Sequence, residues 1–424
     1  MTLLWRCHRW KIRSLTQSYI VFTVTGMIFI MVLYQNPVRR CQYEVSSSNI
    51  SNRKELQERP SCRPLTHIFF LKTHKTGSST IMNILFRFGE SHNLMFALPT
   101  QNLAQFYYPY DFRAEFVESF ITRIRPNYDI MCHHLRFQLT EVERVMPTDT
   151  FYFTIMRNPV SLMESSFSYY KSMDIFMKAK SLEDFLKNPY KYYNKTSITH
   201  SYGKNIMAYD LGLDRIQAQT PKYFKVAKKT IEAAFDLVLI TEYFDESLIL
   251  LKDALCWSFD DVLSFPLNSR NVTSRKVLSE ETQEKIKTWN QLDWQLYVYF
   301  NTSFWEKVDA FGRDRMQSEV QELRRRRAAQ SEVCLQGQVD PSKINDKLLK
   351  PFQAGYSRIL GYNLKTGLQK SERLLCRQLV TPEIQYTEIL SKKQYKQEKY
   401  RIAKYNSYRR QHIRRQWALL PKQG

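Results

Sequence analysis

The chain has 424 residues, 43% of them hydrophobic and 25% charged, which suits one large folded body or two ordinary ones and excludes an intrinsically disordered protein. Its 63 Lys and Arg against 41 Asp and Glu leave a net charge of +22, so anionic partners are expected: nucleic acid, acidic membrane, polyanionic glycan or a phosphorylated cofactor. The seven cysteines show no C-x-x-C spacing and no H-E-x-x-H string occurs, which removes the common zinc sites.

Residues 16 to 34, TQSYIVFTVTGMIFIMVLY, hold no Asp, Glu, Lys, Arg or His. At about 1.5 Å per residue this run nearly spans a bilayer core. Arg6, Arg9, Lys11 and Arg13 precede it and only Arg39 and Arg40 follow closely, a bias that keeps the N-terminus cytosolic. The expectation is a cytosolic tail (1–15), an uncleaved type II signal anchor (16–34) and a lumenal remainder. A cleaved signal peptide is the competing reading, weakened by the length of the run and by the lack of a small-x-small cleavage site after it. Glycosylation sequons at Asn49, Asn194, Asn271 and Asn301 all lie beyond the anchor, as do Cys41, Cys62, Cys132, Cys256, Cys334 and Cys376. An even count permits disulfides. A lumenal body would not meet nucleic acid, which removes that partner.

Residues 35 to 64 are polar, with SSSNISNRKELQERP at their centre, and are expected to be a stem. From there the texture changes to apolar strands alternating with helices, the pattern of an open, mostly parallel α/β sheet. HIFFL (67–71), TFYFTIM (150–156) and FDLVLI (235–240) read as buried strands. Ile81, Ile84, Leu85 and Phe88 fall at i, i+3, i+4 and i+7 of a helix after the first strand, with Gly89 as its expected stop. The second strand leads through Asn158 as N-cap and Pro159 at the first helical position, the third into a helix from Asp245. Beyond about residue 275 the pattern is helical, and the aromatics of LDWQLYVYFNTSFWEKVDAFGRDRM are expected in a core. Arg324 to Arg327 read as a solvated face. The body is expected to run from 65 to 390, with a basic extension over 391–424.

In an open α/β sheet, ligands bind at the carboxyl ends of strands. The loop KTHKTGSST (72–80) leaves the first strand and enters a helix N-terminus, where unpaired N–H groups attract anions. Gly77 lets the backbone approach closely, Thr76, Ser78, Ser79 and Thr80 offer hydroxyls, and Lys75 adds a compact cation. An ordinary capped helix start is the plain alternative. At the end of the second strand stands Arg157, and Ser165 follows eight residues on. An arginine fork with a hydroxyl on the next helix makes a second anion clamp. Two such strand ends suggest a ligand with two separated phosphate groups.

These two segments resemble the 5′-phosphosulfate and 3′-phosphate loops of sulfotransferases that use 3′-phosphoadenosine 5′-phosphosulfate (PAPS). Lys75-Thr76-Gly77-Ser78-Ser79 matches the first and Arg157 with Ser165 the second. The longer string FLKTHKTGSSTIMNILFRFGE resembles the galactose 3-O-sulfotransferases, and the likeness continues through DIMCHHLRFQL, PTDTFYFTIMRNPVSLMESSFSYYK, LVLITEYFDESLILLKDALCW, ILGYNL and TPEIQY. NLMFALP and MPTDTFYF are closer to the branch acting on glycoprotein β-galactosides than to the galactosylceramide branch.

The resemblance implies a P-loop-like sulfotransferase fold in the Golgi lumen. It implies transfer of a sulfuryl group from PAPS to the 3-hydroxyl of a terminal β-galactose, with no metal required in principle. Lys75 and the first loop would stabilise charge on the leaving group, and Arg157 and Ser165 would hold the 3′-phosphate. A sugar hydroxyl needs a general base. His74 is the first candidate, with His134 in CHHLRF as a supporting or alternative base. Acceptor contacts are expected within 91–128 and 172–215.

Three other readings stay open on sequence. A galactosylceramide acceptor would keep the same chemistry. A magnesium-dependent kinase or nucleotide hydrolase would need an aspartate at a strand end, for which Glu242 and Asp245 are the nearest residues. A non-enzymatic glycan-binding membrane protein would use Arg324–Arg327 and the basic tail.

Overall fold

The computed structural model describes residues 62–100, 103–120, 127–213, 221–271, 275–355 and 357–394. The expected anchor, Asn49, Cys7, Cys41, nearly all of the stem and the tail beyond residue 394 lie outside them. Among the described residues no helix is long and apolar enough to cross a membrane.

Four parallel strands form the central sheet: β1 (Ile68–Leu71), β2 (Ile130–Met131), β3 (Phe151–Met156) and β4 (Leu237–Ile240), in the order β2-β1-β3-β4. Helices on both faces bury β1 and β4 along their whole length, as parallel strands require. This is why IFFL and LVLI are unbroken apolar runs without alternation. Phe70 stacks on Phe153 across neighbouring strands at 4.8 Å, a contact worth about 1 kcal/mol beyond area burial.

Helix α1 (Ser78–Ser91) follows the first loop. Its expected apolar stripe is buried, but so is its polar face. Asn83 donates to the carbonyls of Gln378 and Thr381, and Arg87 donates to Asn83 Oδ1 and to the Leu263 carbonyl. Burial lowers the Arg87 guanidinium to about 10. Gly89 does not stop the helix, which runs on to Ser91. A Cβ there would lie 2.3 Å from Phe96 Cζ and 2.9 Å from Ile130 Cδ1, so the glycine serves close packing against β2 and not termination.

Helix α2 (Pro159–Tyr169) begins as expected, with the Asn158 side chain accepting the Val160 N–H at 2.9 Å and Pro159 at its first position. A short helix, α3 (Ile206–Asp210), precedes β4, and α4 (Phe244–Ala254) follows it. After shorter helices at Phe259–Val262 and Glu280–Trp289 come the long helices α5 (Gln291–Phe311) and α6 (Arg313–Cys334). Leu292, Leu296, Phe300, Phe304 and Val308 of α5 enter the main core. A β-hairpin-like pair, β5 (Leu335–Val339) with β6 (Gly361–Leu364), and α7 (Lys370–Val380) complete the described chain with its closing segment 381–394.

Among the described residues two disulfides cross the fold, Cys62–Cys256 and Cys334–Cys376, while Cys132 is free and buried. The first ties the start of the body to the end of α4, and the Leu65 N–H reinforces it by donating to the Leu255 carbonyl. Asn194 is exposed, and both the N–H and the hydroxyl of Thr196 donate to its Oδ1. Asn271 is exposed as well. Asn301 sits in the middle of α5, half-buried with Oδ1 enclosed, which is unfavourable geometry for a glycan acceptor.

Candidate active site

The carboxyl ends of all four strands open onto one cleft of about 950 Å³. The parallel order makes this inevitable: the loops at 72–77, 132–134, 157–158 and 241–243 leave the same edge of the sheet. Into the cleft face His74, Lys75, Gly77, Ser78, Ser79, Thr80, His134, Arg157 and Ser165. Of the residues expected at the site, Thr76 alone does not line it. Its hydroxyl is fully buried and donates back to the Thr73 carbonyl at 3.1 Å.

The first loop owes its shape to two left-handed residues, Lys75 (φ 60°) and Gly77 (φ 76°). Only glycine takes such a φ without steric cost, so Lys75 is held there by its surroundings. Arg157 is part of them: its guanidinium donates to the Lys75 carbonyl at 2.7 Å. The Ser78 hydroxyl closes the loop on the Thr73 carbonyl at 2.7 Å, Ser79 donates to Glu383 Oε2 at 2.6 Å, and Thr80 accepts the Leu267 N–H at 3.0 Å. The hydroxyls thus build the loop more than they line an anion seat. What the loop presents is the N-terminus of α1, where the Thr80 N–H turns back on the Gly77 carbonyl at 3.0 Å and helix geometry leaves the N–H groups of Ser78 and Ser79 without a partner inside the helix.

The Lys75 ammonium lies over the Tyr169 ring at 3.6 Å. Burial, together with Lys72, Arg157 and Arg270 nearby, pulls its pKa down to about 7. A buried lysine among other cations is suited to an anionic ligand.

The two histidines are stacked, ring centroids 3.8 Å apart and 8° from parallel, yet their lone pairs have different fates. Lys72 Nζ, which can only donate, lies 3.0 Å from His134 Nε2, so that nitrogen accepts and Nδ1 carries the proton toward the Lys72 carbonyl at 2.7 Å. Burial, His74 and Lys72 push His134 well below its ordinary range. Its lone pair is already filled, and the geometry does not support it as an alternative base. His74 turns Nδ1 to the Asp210 carboxylate at 3.0 Å, while its Nε2 is buried without a hydrogen-bond partner among the described residues. A neutral imidazole whose Nδ1 faces a carboxylate keeps its proton there, leaving Nε2 as a free acceptor.

Several residues of the cleft escaped the sequence reading. Glu383, from TPEIQY, pairs with Lys72 at 3.1 Å. Burial alone would raise its pKa, but Lys72 and the Ser79 hydroxyl hold it below the usual carboxylate range. Arg270, paired with Glu164, and Arg275 join Arg157 on the cationic wall. Arg324 and Arg327 are not merely a solvated face: both line the cleft and grip Asp245 at 2.7 and 2.6 Å. Asp245 is therefore engaged by guanidinium groups, and Glu242 accepts the Asn158 N–H at 3.1 Å. Ala104, Gln105 and Ser172, from the two expected acceptor regions, line the cleft beside Tyr170.

The family model for galactose-3-O-sulfotransferases matches residues 1–394. The chain belongs to the galactose-3-O-sulfotransferase family. It is 45% identical to pig galactose-3-O-sulfotransferase 2 over 339 residues, covering 78% of this chain and 85% of the relative. Human galactose-3-O-sulfotransferase 4 is 35% identical over 466 residues, covering 91% and 94%. Human galactosylceramide sulfotransferase is 41% identical over 334 residues, covering 77% and 78%. The protein is thus a sulfotransferase, which excludes the purely glycan-binding reading, and the family implies PAPS as donor. The cleft fits such a donor: a helix N-terminus, a lysine whose pKa is lowered by burial and cationic neighbours, and an arginine wall all face one space.

Proposed function

We propose that this sulfotransferase moves a sulfuryl group from PAPS to the 3-hydroxyl of terminal β-galactose on glycoprotein oligosaccharides. It would work in the Golgi lumen, behind a type II anchor at residues 16–34. The observation that carries the reading is the Nε2 of His74, buried and without a partner among the described residues, on a side chain that lines a cationic cleft.

PAPS, when bound, supplies the sulfuryl group and an anionic leaving group. Lys75 and the N-terminus of α1 would stabilise the negative charge that gathers on that leaving group. Arg157, which braces the loop through the Lys75 carbonyl, would hold the 3′-phosphate with Ser165 and so fix the donor's position. His74 would take the proton of the acceptor hydroxyl at Nε2. His134 and Lys72 flank it without competing, since their contacts are closed on each other.

The glycoprotein branch is supported by the similarity to galactose-3-O-sulfotransferase 2. A galactosylceramide acceptor is the second reading. It is favoured by the relative of that name and by an apolar rim on the cleft, where Phe352 is 60% and Ile384 40% exposed. Radiolabelled PAPS offered with type 1, type 2 and core 1 disaccharides and with galactosylceramide tests both. Label on disaccharides above that on the glycolipid supports the first reading; label on the glycolipid alone overturns it.

A further inference from the structure

A buried imidazole with a free lone pair must be kept in one ring orientation and one tautomer, or it spends its time in states that cannot accept a proton. In this chain one carboxylate does both. Asp210 receives Nδ1 of His74 on both oxygens at 3.0 Å and accepts the His74 backbone N–H at 2.8 Å. Ring and main chain are therefore anchored to the same group, 136 residues away in sequence. Asp210 is completely buried, and no lysine or arginine is paired with it among the described ion pairs. A buried carboxylate without a cationic partner is costly. That cost falls when its neighbour becomes an imidazolium.

The elements around the pair are arranged to hold it. Asp210 ends α3, whose first N–H groups, those of Met207 and Ala208, donate to buried Asp293 at 3.1 and 2.8 Å. The ring of Tyr108 lies 4.5 Å from that of His74, and Tyr202 meets it edge-on at 5.4 Å. Burial and the charge of Asp210 raise both phenols, so they stay neutral. Burial raises Asp293 to about 7. The remaining titratable groups facing the pair are Tyr209, Tyr170, His134 and, beyond His134, Lys72.

Resting on the sulfotransferase reading, we propose that Asp210 is the positioning residue of the reaction: it fixes the Nδ1–H tautomer of His74, aims Nε2 at the acceptor hydroxyl, and stabilises the imidazolium that results. In the step it serves, the acceptor oxygen forms its bond to sulfur and its proton passes to Nε2. The bond from sulfur to the bridging phosphate oxygen breaks, and its electron pair leaves with 3′,5′-ADP.

The rival role is purely structural, with Asp210 holding the loop by its backbone contact. Full-length chain in detergent, as wild type, Asp210→Asn, His74→Ala and the double variant, separates the two. For Asp210→Asn, kcat should fall on the order of 10²- to 10⁴-fold, the scale of a mis-set tautomer in a serine-protease triad. Affinity for 3′,5′-ADP should stay within about twofold, and the acid limb of the pH–rate profile should move to lower pH because the imidazolium has lost its counter-charge. In the His74→Ala background the second substitution should cost nothing further. An equal loss in that background, or a parallel loss of 3′,5′-ADP binding, overturns the proposal. An activity-independent reading comes from ¹⁵N-histidine NMR, with the His74 signal assigned by its absence in His74→Ala. A single Nδ1–H tautomer in wild type that becomes mixed in Asp210→Asn supports the positioning role even if no β-galactoside is turned over, in which case only the acceptor reading falls. An Nε2–H tautomer in an active wild type overturns the positioning role alone.

Discussion

Lys75 makes donor affinity depend on pH, and the sign follows from its surroundings. Free enzyme holds its ammonium among Lys72, Arg157 and Arg270 with little solvent, and its pKa is about 7. An anionic donor beside it favours the charged form, so the bound pKa lies higher and binding takes up a proton. Affinity is then full below about pH 7 and falls as pH rises, approaching tenfold per unit, because one pKa unit is about 1.4 kcal/mol. Between pH 6 and 8 the loss of 3′,5′-ADP affinity should be about tenfold, with proton uptake nearing one per ligand at the upper end. Phosphate second ionisations, near about pH 6, are complete over most of this range and act in the opposite sense. Isothermal titration in buffers of differing ionisation heat reads both quantities. Lys75→Arg, whose guanidinium stays charged, should bind less tightly at pH 6 but show no falling limb. A flat wild-type profile, or a limb that survives in Lys75→Arg, refutes the reasoning.

His74→Ala should lower kcat about 10²- to 10⁴-fold, the usual worth of a general base, with 3′,5′-ADP binding retained by titration. His134→Gln should cost less activity than His74→Ala and show mainly as a lower Tm, since it breaks the contacts to Lys72. Arg157→Ala should weaken 3′,5′-ADP binding by about 10- to 100-fold, on the scale of about 1.5–3 kcal/mol for a charge-assisted hydrogen bond. Gly89→Ala should destabilise by about 1–3 kcal/mol through overpacking against Phe96 and Ile130, visible in thermal unfolding with kcat little changed. Breaking Cys334–Cys376, which closes a separation of 42 residues, should cost about 4 kcal/mol by chain entropy, read as a lower denaturant midpoint in a Cys334→Ser, Cys376→Ser variant.

Local chemistry was what the sequence made legible. HIFFL, TFYFTIM and FDLVLI are strands because their runs are apolar, short and bounded, and Asn158-Pro159 starts a helix for reasons contained in two residues. Strand β2, within the strand-like YDIM, is only two residues long, so its apolar pair is a hint and no period can show. Gly89 carried the ordinary signature of a helix stop, and only the proximity of Phe96 reveals its other purpose. The anion-facing residues could be named because loop and helix are contiguous in sequence. Asp210 could not: MAYDLGL has no pattern that marks its aspartate, and its partner is far off in the chain. Glu383 and the arginine pair on α6 are similar cases, brought to the cleft by long-range packing of α6, α7 and the closing segment.

The central claim is that this chain sulfates the 3-hydroxyl of β-galactose with His74 as base. The most direct measurement offers radiolabelled PAPS to the full-length enzyme with a β-galactosyl disaccharide or its 3-deoxy-galactose counterpart, in wild type and His74→Ala. The account predicts label on the parent sugar only, and its near loss in His74→Ala while 3′,5′-ADP still binds. Label on the 3-deoxy sugar, or undiminished transfer by His74→Ala, would contradict it.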